Sequence, residues 1–323
     1  GTGISGKHNM IILTGKIRMM QTRRSFVKNA AMGAAALSVT PAAFSNLSER
    51  YSPDESLFFK ISLAEWSLNQ TLFSGKLDNL DFPAYTKKNF DIHALEYVNQ
   101  FFPSSSKEYA EELLKRTIDL NMNNVLIMID EEGDLGDQYE PKRRRAVERH
   151  FEWIECAEVL GCHSIRVNAA GRGTEEGVAA AVVRSLTELC RFAEDHAIHV
   201  IVENHGGYSS SGQWLAAIMK EVNMDNCGTL PDFGNFRISG TKTYDRYLGV
   251  KELMPYAKGV SAKSHDFDEQ GHETQSDFFR LLKIVKEAGY RGYIGIEYEG
   301  RRLDEHAGII ATRDLLIKAG KSI

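Results

Sequence analysis

From residue 57 onward, short apolar runs alternate with longer amphipathic stretches. The short runs cover 58–63, 92–98, 124–129, 164–167, 199–202, 228–231, 259–262 and 293–296. Each is short and rich in apolar residues, as expected of a buried parallel strand. The stretches between them carry a helical period. Val147, Phe151, Ile154 and Ala157 form one stripe in 144–160, and Val182, Leu186, Leu189 and Ala193 form another in 175–196. In 277–288 the stripe is Phe278, Leu281 and Val285, and Gly289 follows as a C-terminal stop. Strands alternating with helices imply βαβ units and a parallel sheet. Eight such units in about 260 residues predict an α/β protein, a closed (β/α)8 barrel. A doubly wound open sheet would need a glycine-rich phosphate turn after its first strand. Here that strand runs into Ala64-Glu65-Trp66-Ser67. Gly171-Arg172-Gly173 reads as a flexible loop after the fourth strand.

The last four runs end in polar residues. The fifth leads into Glu203-Asn204-His205-Gly206-Gly207 and the sixth into Pro231-Asp232-Phe233-Gly234-Asn235. The seventh continues through Ser261-Ala262-Lys263-Ser264-His265-Asp266 and the eighth into Glu297-Tyr298-Glu299-Gly300. A barrel gathers the C-terminal ends of its strands around one mouth, where ligands bind. Clustered carboxylates repel one another unless a cation sits among them. Two Glu, an Asp and a His there suit one divalent ion: Mn²⁺, Mg²⁺, Co²⁺ or Zn²⁺. The plain alternative is four solvated residues that happen to follow strands.

Composition narrows the class. The chain has 323 residues, 42% hydrophobic and 26% charged, with net charge −5 and both signs scattered, so no nucleic-acid-binding footprint is present. Cys156, Cys162, Cys190 and Cys227 lack C-x-x-C spacing and read as small buried hydrophobes. Residues 22–28 (Thr-Arg-Arg-Ser-Phe-Val-Lys), an apolar run over 30–37 and Pro41-Ala42-Ala43 resemble a twin-arginine export signal. A basic amphipathic helix is the alternative. Spanning a bilayer takes about 20 apolar residues, so no stable membrane insertion is expected once the signal is cleaved. The expected organisation is an extension and signal over 1–45, a linker over 46–56 and the barrel over 57–323, with a periplasmic or otherwise exported product.

The strand-end motifs resemble the xylose isomerase-like TIM barrels, particularly the sugar-phosphate isomerase/epimerase branch with ketose 3-epimerases and hydroxypyruvate isomerases. The resemblance spans roughly residues 57–320. It implies one metal ion held by Glu, Asp, His and Glu from strands five to eight. Glu203, Asp232 and Glu297 fall on three of those positions. In the seventh strand the family typically reads His-x-Lys-Asp, whereas this chain reads Ser261-Ala262-Lys263-Ser264. His265 is then the candidate fourth ligand, against a three-ligand site or a substrate contact by His265. Asn235 stands where the family often has a second His.

The chemistry implied is proton transfer beside a carbonyl, through an enediolate, with Glu203 and Glu297 as base and acid. His205, Lys263, Trp66, Arg166 and Glu299 are the expected substrate-binding residues. Lys263 and His205 have structural alternatives, as a solvated lysine and a loop tie. Trp66 with Phe101 and Phe102 could form an aromatic wall, and Glu65, Glu96, Asn99 and Asn168 lie around the ends of the early strands. The acidic segment 130–138 reads as a solvated loop or a lid. No basic cluster marks a phosphate site, so an unphosphorylated carbohydrate is the expected small-molecule partner; a homo-oligomer is left open. The competing functions are a lyase or hydrolase of 3-keto-glycosides on the same site, and a non-catalytic sugar-binding barrel.

Overall fold

The computed structural model describes residues 57–323. The expected export signal and linker over 1–56 lie outside the described residues. The chain forms β1 (Lys60–Ala64), β2 (Ala94–Val98), β3 (Asn123–Met128), β4 (Ser164–Asn168), β5 (His199–Glu203), β6 (Cys227–Leu230), β7 (Arg237–Ser239), β8 (Lys242–Thr243), β9 (Val260–Ser264) and β10 (Tyr293–Tyr298). The helices are α1 (Asn69–Phe73), α2 (Phe82–Phe90), α3 (Lys107–Asp119), α4 (Glu140–Leu160), α5 (Glu175–Asp195), α6 (Gly212–Val222), α7 (Arg246–Leu253), α8 (Phe278–Glu287) and α9 (Glu305–Lys321). Eight strands pair in parallel in the order β6-β5-β4-β3-β2-β1-β10-β9. The two end strands meet through isolated bridges, Thr229 with Ala257 and Asp232 with Ser261. Backbone hydrogen bonds of 3.0 Å from Ser261 N to Pro231 O and from Phe233 N to Ser261 O fasten that seam. The expected (β/α)8 barrel is therefore what forms, and it is nearly closed. The small antiparallel pair β7–β8, turned at Gly240 (φ 49°), follows the sixth barrel strand and has no counterpart in the sequence reading.

The helices form for the reasons their sequences suggest. In α5, Val178, Ala181, Val182, Leu186, Leu189 and Ala193 are buried on one face, and the Thr174 side chain caps the N-terminus by accepting from Gly177 N–H. In α8, Asp277 caps the N-terminus, Phe278, Leu281, Leu282 and Val285 are buried, and Gly289 follows at φ 80°. A large apolar layer packs the helices onto the outer faces of the strands. Inside the barrel the apolar residues are fewer, among them Ala94, Leu126, Ile201 and Leu230. The rest of the interior is polar, and this extends three strands beyond their apolar runs: β5 ends on Glu203, β9 on Ser264 and β10 on Tyr298. The ladder of backbone hydrogen bonds continues whether or not the side chains are apolar.

The loop with Gly171 is not free. It abuts the loop after β3, where Gly136 N–H donates to Ala170 O at 2.7 Å, and a Cβ on Gly171 would collide with the Gly136 carbonyl. Gly171→Ala is expected to cost about 1–3 kcal/mol, read as a lower urea midpoint at unchanged slope. An unaltered midpoint would mean that the two loops do not abut in solution. Among the described residues, no helix is long and apolar enough to cross a membrane.

Candidate metal centre

Strand register decides which side chains enter the barrel. Partners in parallel strands point the same way, and β10 aligns Gly295 with Ser261 and Glu297 with Lys263. Across the other side, Met128 aligns with Arg166, Arg166 with Ile201, and Asn168 with Glu203. Glu203, Asp232 and Glu297 thereby converge, each offering one oxygen within 4.8 Å of the others. All three are buried, with 1%, 0% and 3% exposure, so water does not screen their mutual repulsion.

Each carboxylate is fixed by the chain around it. Asp232 Oδ1 accepts from the N–H groups of Gly234 and Asn235 at 2.7 and 2.8 Å. The Asn204 amide locks the same turn, with Asp232 N–H donating to its Oδ1 at 2.8 Å and its Nδ2 donating to Asp232 O at 3.1 Å. Asn235 Nδ2 donates to Glu203 Oε1 at 3.0 Å. Ser261 Oγ lies 2.8 Å from both Asp232 Oδ2 and Glu297 Oε2.

Two buried cations balance the glutamates. Arg166 Nε lies 2.8 Å from Glu203 Oε2, an ion pair whose N–H is not aimed at the oxygen, while its Nη1 meets Asp130 Oδ1 at 2.7 Å. Lys263 Nζ lies 3.2 Å from Glu297 Oε1, 3.1 Å from Glu299 Oε1 and 4.0 Å from Asp232 Oδ2. Burial opposes the charge on Lys263, but the carboxylates of Glu297, Asp232 and Glu299 outweigh it and raise its pKa. Burial pushes Glu203 up to about 7 against the pull of Arg166. It does the same to Asp232, up to about 7 against Lys263, with Glu203 and Glu297 adding repulsion. For Glu297 the burial is overcome by Lys263 and Arg166, and its pKa is lowered.

This donor set suits a divalent cation. The Ser261 hydroxyl has one proton and two carboxylate oxygens at hydrogen-bond distance, so with both carboxylates ionised one of the two contacts lacks a proton. Glu203 Oε2 is likewise buried without an aligned donor. Glu203, Asp232 and Glu297 are the residues that could hold the ion. Strand β9 brings Ser261 and Lys263 to the cluster, whereas His265, one residue past its end, is not a member of it. The His265 backbone N–H donates to Glu273 Oε1 at 3.3 Å.

The other expected contacts divide. Trp66 Nε1 donates to Glu299 Oε1 at 2.8 Å, so Trp66, Glu299 and Lys263 form one chain at the mouth. Phe101 joins Trp66 with ring centroids 6.1 Å apart, and Phe73, missed in the sequence, completes the wall at 4.9 Å from Phe101 with 62% exposure. Phe102 instead packs outward on Trp153. His205 is exposed at the mouth, where lost hydration and the charges of Arg166 and Lys263 lower its pKa; its backbone N–H is tied to Ser209 Oγ at 2.9 Å. The segment after β3 is not simply solvated. Burial works against the Asp130 carboxylate, yet Arg166 holds it down to about 2. Glu132 accepts from Trp153 Nε1 at 3.0 Å. Glu65 turns inward, bound by Asn79 Nδ2 at 2.8 Å and Val98 N–H at 3.0 Å, and burial raises it to about 8. Glu96 sits inside β2 with Ser62 Oγ at 2.5 Å and is raised by burial to about 8; the missing side chain of Gly295 gives it room.

The family model of the xylose isomerase-like TIM barrels matches residues 86–319. The chain belongs to that family. Among curated relatives, the alpha subunit of a C-glycoside deglycosidase from Arthrobacter globiformis is 41% identical over 49 residues, 15% of this chain and 14% of that one. A Mus musculus protein described as a hydroxypyruvate isomerase is 28% identical over 191 residues, 53% of this chain and 66% of that one. The chain thus spans less than two thirds of the length of either relative. A solved L-ribulose 3-epimerase superposes with a TM-score of 0.66 at 14% identity, covering 82% of this chain and 95% of that one. At that identity the likeness concerns the fold alone. Within this xylose isomerase-like barrel the buried acidic triad lies at the end of the barrel where the fold places its active sites.

Proposed function

We propose that the chain is a divalent-metal-dependent sugar isomerase or epimerase, acting beside a carbonyl through an enediolate on an unphosphorylated sugar. The observation that carries this reading is the pair of buried glutamates, Glu203 and Glu297, each on its own cation and both in one carboxylate cluster. A divalent ion (Mn²⁺, Mg²⁺, Co²⁺ or Zn²⁺) held by Glu203, Asp232 and Glu297 would supply the positive charge that stabilises the enediolate oxygens. Glu203, with Oε2 beside Arg166 Nε, would accept the substrate proton as the base. Glu297 serves the opposite face, and the two roles exchange with the direction of reaction. Lys263 is placed to donate from Nζ to a substrate oxygen, and His205 and Arg166 border the same space. Trp66, Phe101 and Phe73 offer a flat apolar wall for the C–H face of a sugar.

A second reading is lysis or hydrolysis of a 3-keto-glycoside, in which the enediolate expels a neighbouring substituent. The local match to a C-glycoside deglycosidase subunit favours it. One experiment addresses both. Protein loaded with Mn²⁺ or Mg²⁺ is incubated in D₂O with a panel of ketoses and 3-keto-glycosides. Deuterium on the carbon beside the carbonyl, with a changed sugar, supports the isomerase or epimerase; released aglycone supports the lyase. No bound metal and no exchange would leave a sugar-binding barrel. Export through the twin-arginine segment belongs to the same proposal, and replacing Arg23 and Arg24 with lysine should retain the protein in the cytoplasm in a fractionation assay.

A further inference from the structure

We propose that the ion sits in an all-oxygen shell in which the Ser261 hydroxyl is the strand β9 donor, so that the centre favours magnesium or manganese over zinc and cobalt. This rests on the reading that the centre binds a divalent ion. The argument starts from where Ser261 lies. It is 1% exposed, aligned with Gly295 on one side and bridged to Asp232 on the other. Its Oγ is 2.8 Å from one oxygen of Asp232 and 2.8 Å from one oxygen of Glu297. When both carboxylates are ionised, its single proton can go to only one of them, and the other contact sets lone pair against lone pair. A shared cation turns both contacts into neighbouring corners of a coordination shell. At metal–oxygen distances of about 2.1 Å, adjacent corners of an octahedron lie about 3.0 Å apart, close to the spacing Ser261 keeps.

The nitrogen donors do not compete for that corner. Among the described residues, neither His265 nor His205 belongs to the cluster whose donor atoms come within 4.8 Å of one another. Asn235 turns its Nδ2 toward Glu203 as a hydrogen-bond donor, which leaves no nitrogen lone pair there. Carboxylate and hydroxyl oxygens suit hard cations, whereas an imidazole shifts a site toward zinc.

Pulsed electron paramagnetic resonance of the full chain loaded with Mn²⁺ tests the shell directly. The expected spectrum of the parent protein has no ¹⁴N modulation from a coordinated imidazole. Ser261→His should introduce that modulation and raise Zn²⁺ affinity relative to Mn²⁺ by about tenfold or more in a calorimetric titration. Should that variant misfold, Ser261→Ala removes only one oxygen and should weaken Mn²⁺ binding by about tenfold. ¹⁴N modulation in the parent that disappears in His265→Ala would overturn the inference while leaving the proposed function standing. Unchanged Mn²⁺ affinity in Ser261→Ala would do the same. Failure of the parent protein to bind Mn²⁺ at all would overturn both.

Discussion

Replacing Glu297 with glutamine is expected to lower kcat/KM in the proton-exchange assay by on the order of 10³-fold or more, and to lower the Tm of the metal-free protein at neutral pH. The two halves of this prediction have one cause. Glu297 gives Oε1 to Lys263 at 3.2 Å and Oε2 to Ser261 at 2.8 Å. A glutamine of the same shape can still accept from Lys263 through its oxygen. Its amide N–H₂ can donate to Ser261 Oγ, which then gives its single proton to Asp232. The substitution therefore supplies a hydrogen to the Ser261 bridge but takes from the buried Lys263 ammonium the carboxylate whose own pKa that pairing lowers. What it loses is the carboxylate that carries a proton and helps hold a cation. Activity within tenfold of the parent would remove Glu297 from the chemistry. An unchanged Tm would mean that Glu299 and Asp232 balance Lys263 without it.

The metal-free protein is expected to lose thermal stability as the pH rises from about 6.5 to about 8, and a divalent ion should restore more of it at the upper end. Glu203 and Asp232 are pushed up to about 7, and Glu65 and Glu96 to about 8, each chiefly by burial. Unfolded carboxyls titrate near 4, at about 3.9 for Asp and 4.3 for Glu. Between those limits these carboxyls hold protons that the unfolded state has released, which lowers stability as pH rises; below about 6.5, His150, His163, His199 and His205, whose pKa values burial lowers, act in the opposite sense and offset it. Asp130 and Glu297, whose pKa values are lowered, act in the opposite sense, but their contribution is lost only as pH falls below the unfolded range. A cation competes with the protons on Glu203 and Asp232 and leaves those on Glu65 and Glu96 alone. Its stabilisation should therefore grow with pH without cancelling the whole decline. Differential scanning calorimetry with a chelator and with Mn²⁺ measures both trends. A metal-free Tm that climbs over this interval would contradict the burial assigned to these four groups.

The barrel was legible because each unit repeats the same contrast between a short apolar run and an amphipathic helix. Glu203, Asp232 and Glu297 were legible because a carboxylate follows an apolar run in each case. The pairing of Arg166 with Glu203 and of Lys263 with Glu297 was less so. Polar and apolar residues alternate in Ser164-Ile165-Arg166-Val167-Asn168 and in Ser261-Ala262-Lys263, but the pairing depends on register across strands far apart in sequence. Asp130 was hidden for another reason. It begins a run that includes Glu131, Glu132 and Asp134, and composition alone makes such a run look like solvent-facing surface. Ser261 was noticed only as a departure from a familiar spacing. Its two 2.8 Å contacts come from three strands meeting at the seam.

That seam ties the health of the scaffold to the state of the site. β6 and β9 share no continuous ladder; a few backbone bonds and the Asp232–Ser261 contact join them. A ligand that grips Asp232 and Glu297 together therefore also buckles the hoop shut at its weakest stave. Amide protons of Ser261 and Phe233 become reporters of occupancy, exchanging slowly when the clasp is filled and quickly when it is empty. Under the proposed metal dependence, filling the acidic cluster and finishing the barrel would be two views of one event, and a shortage of the ion would leave a looser container as well as an empty site.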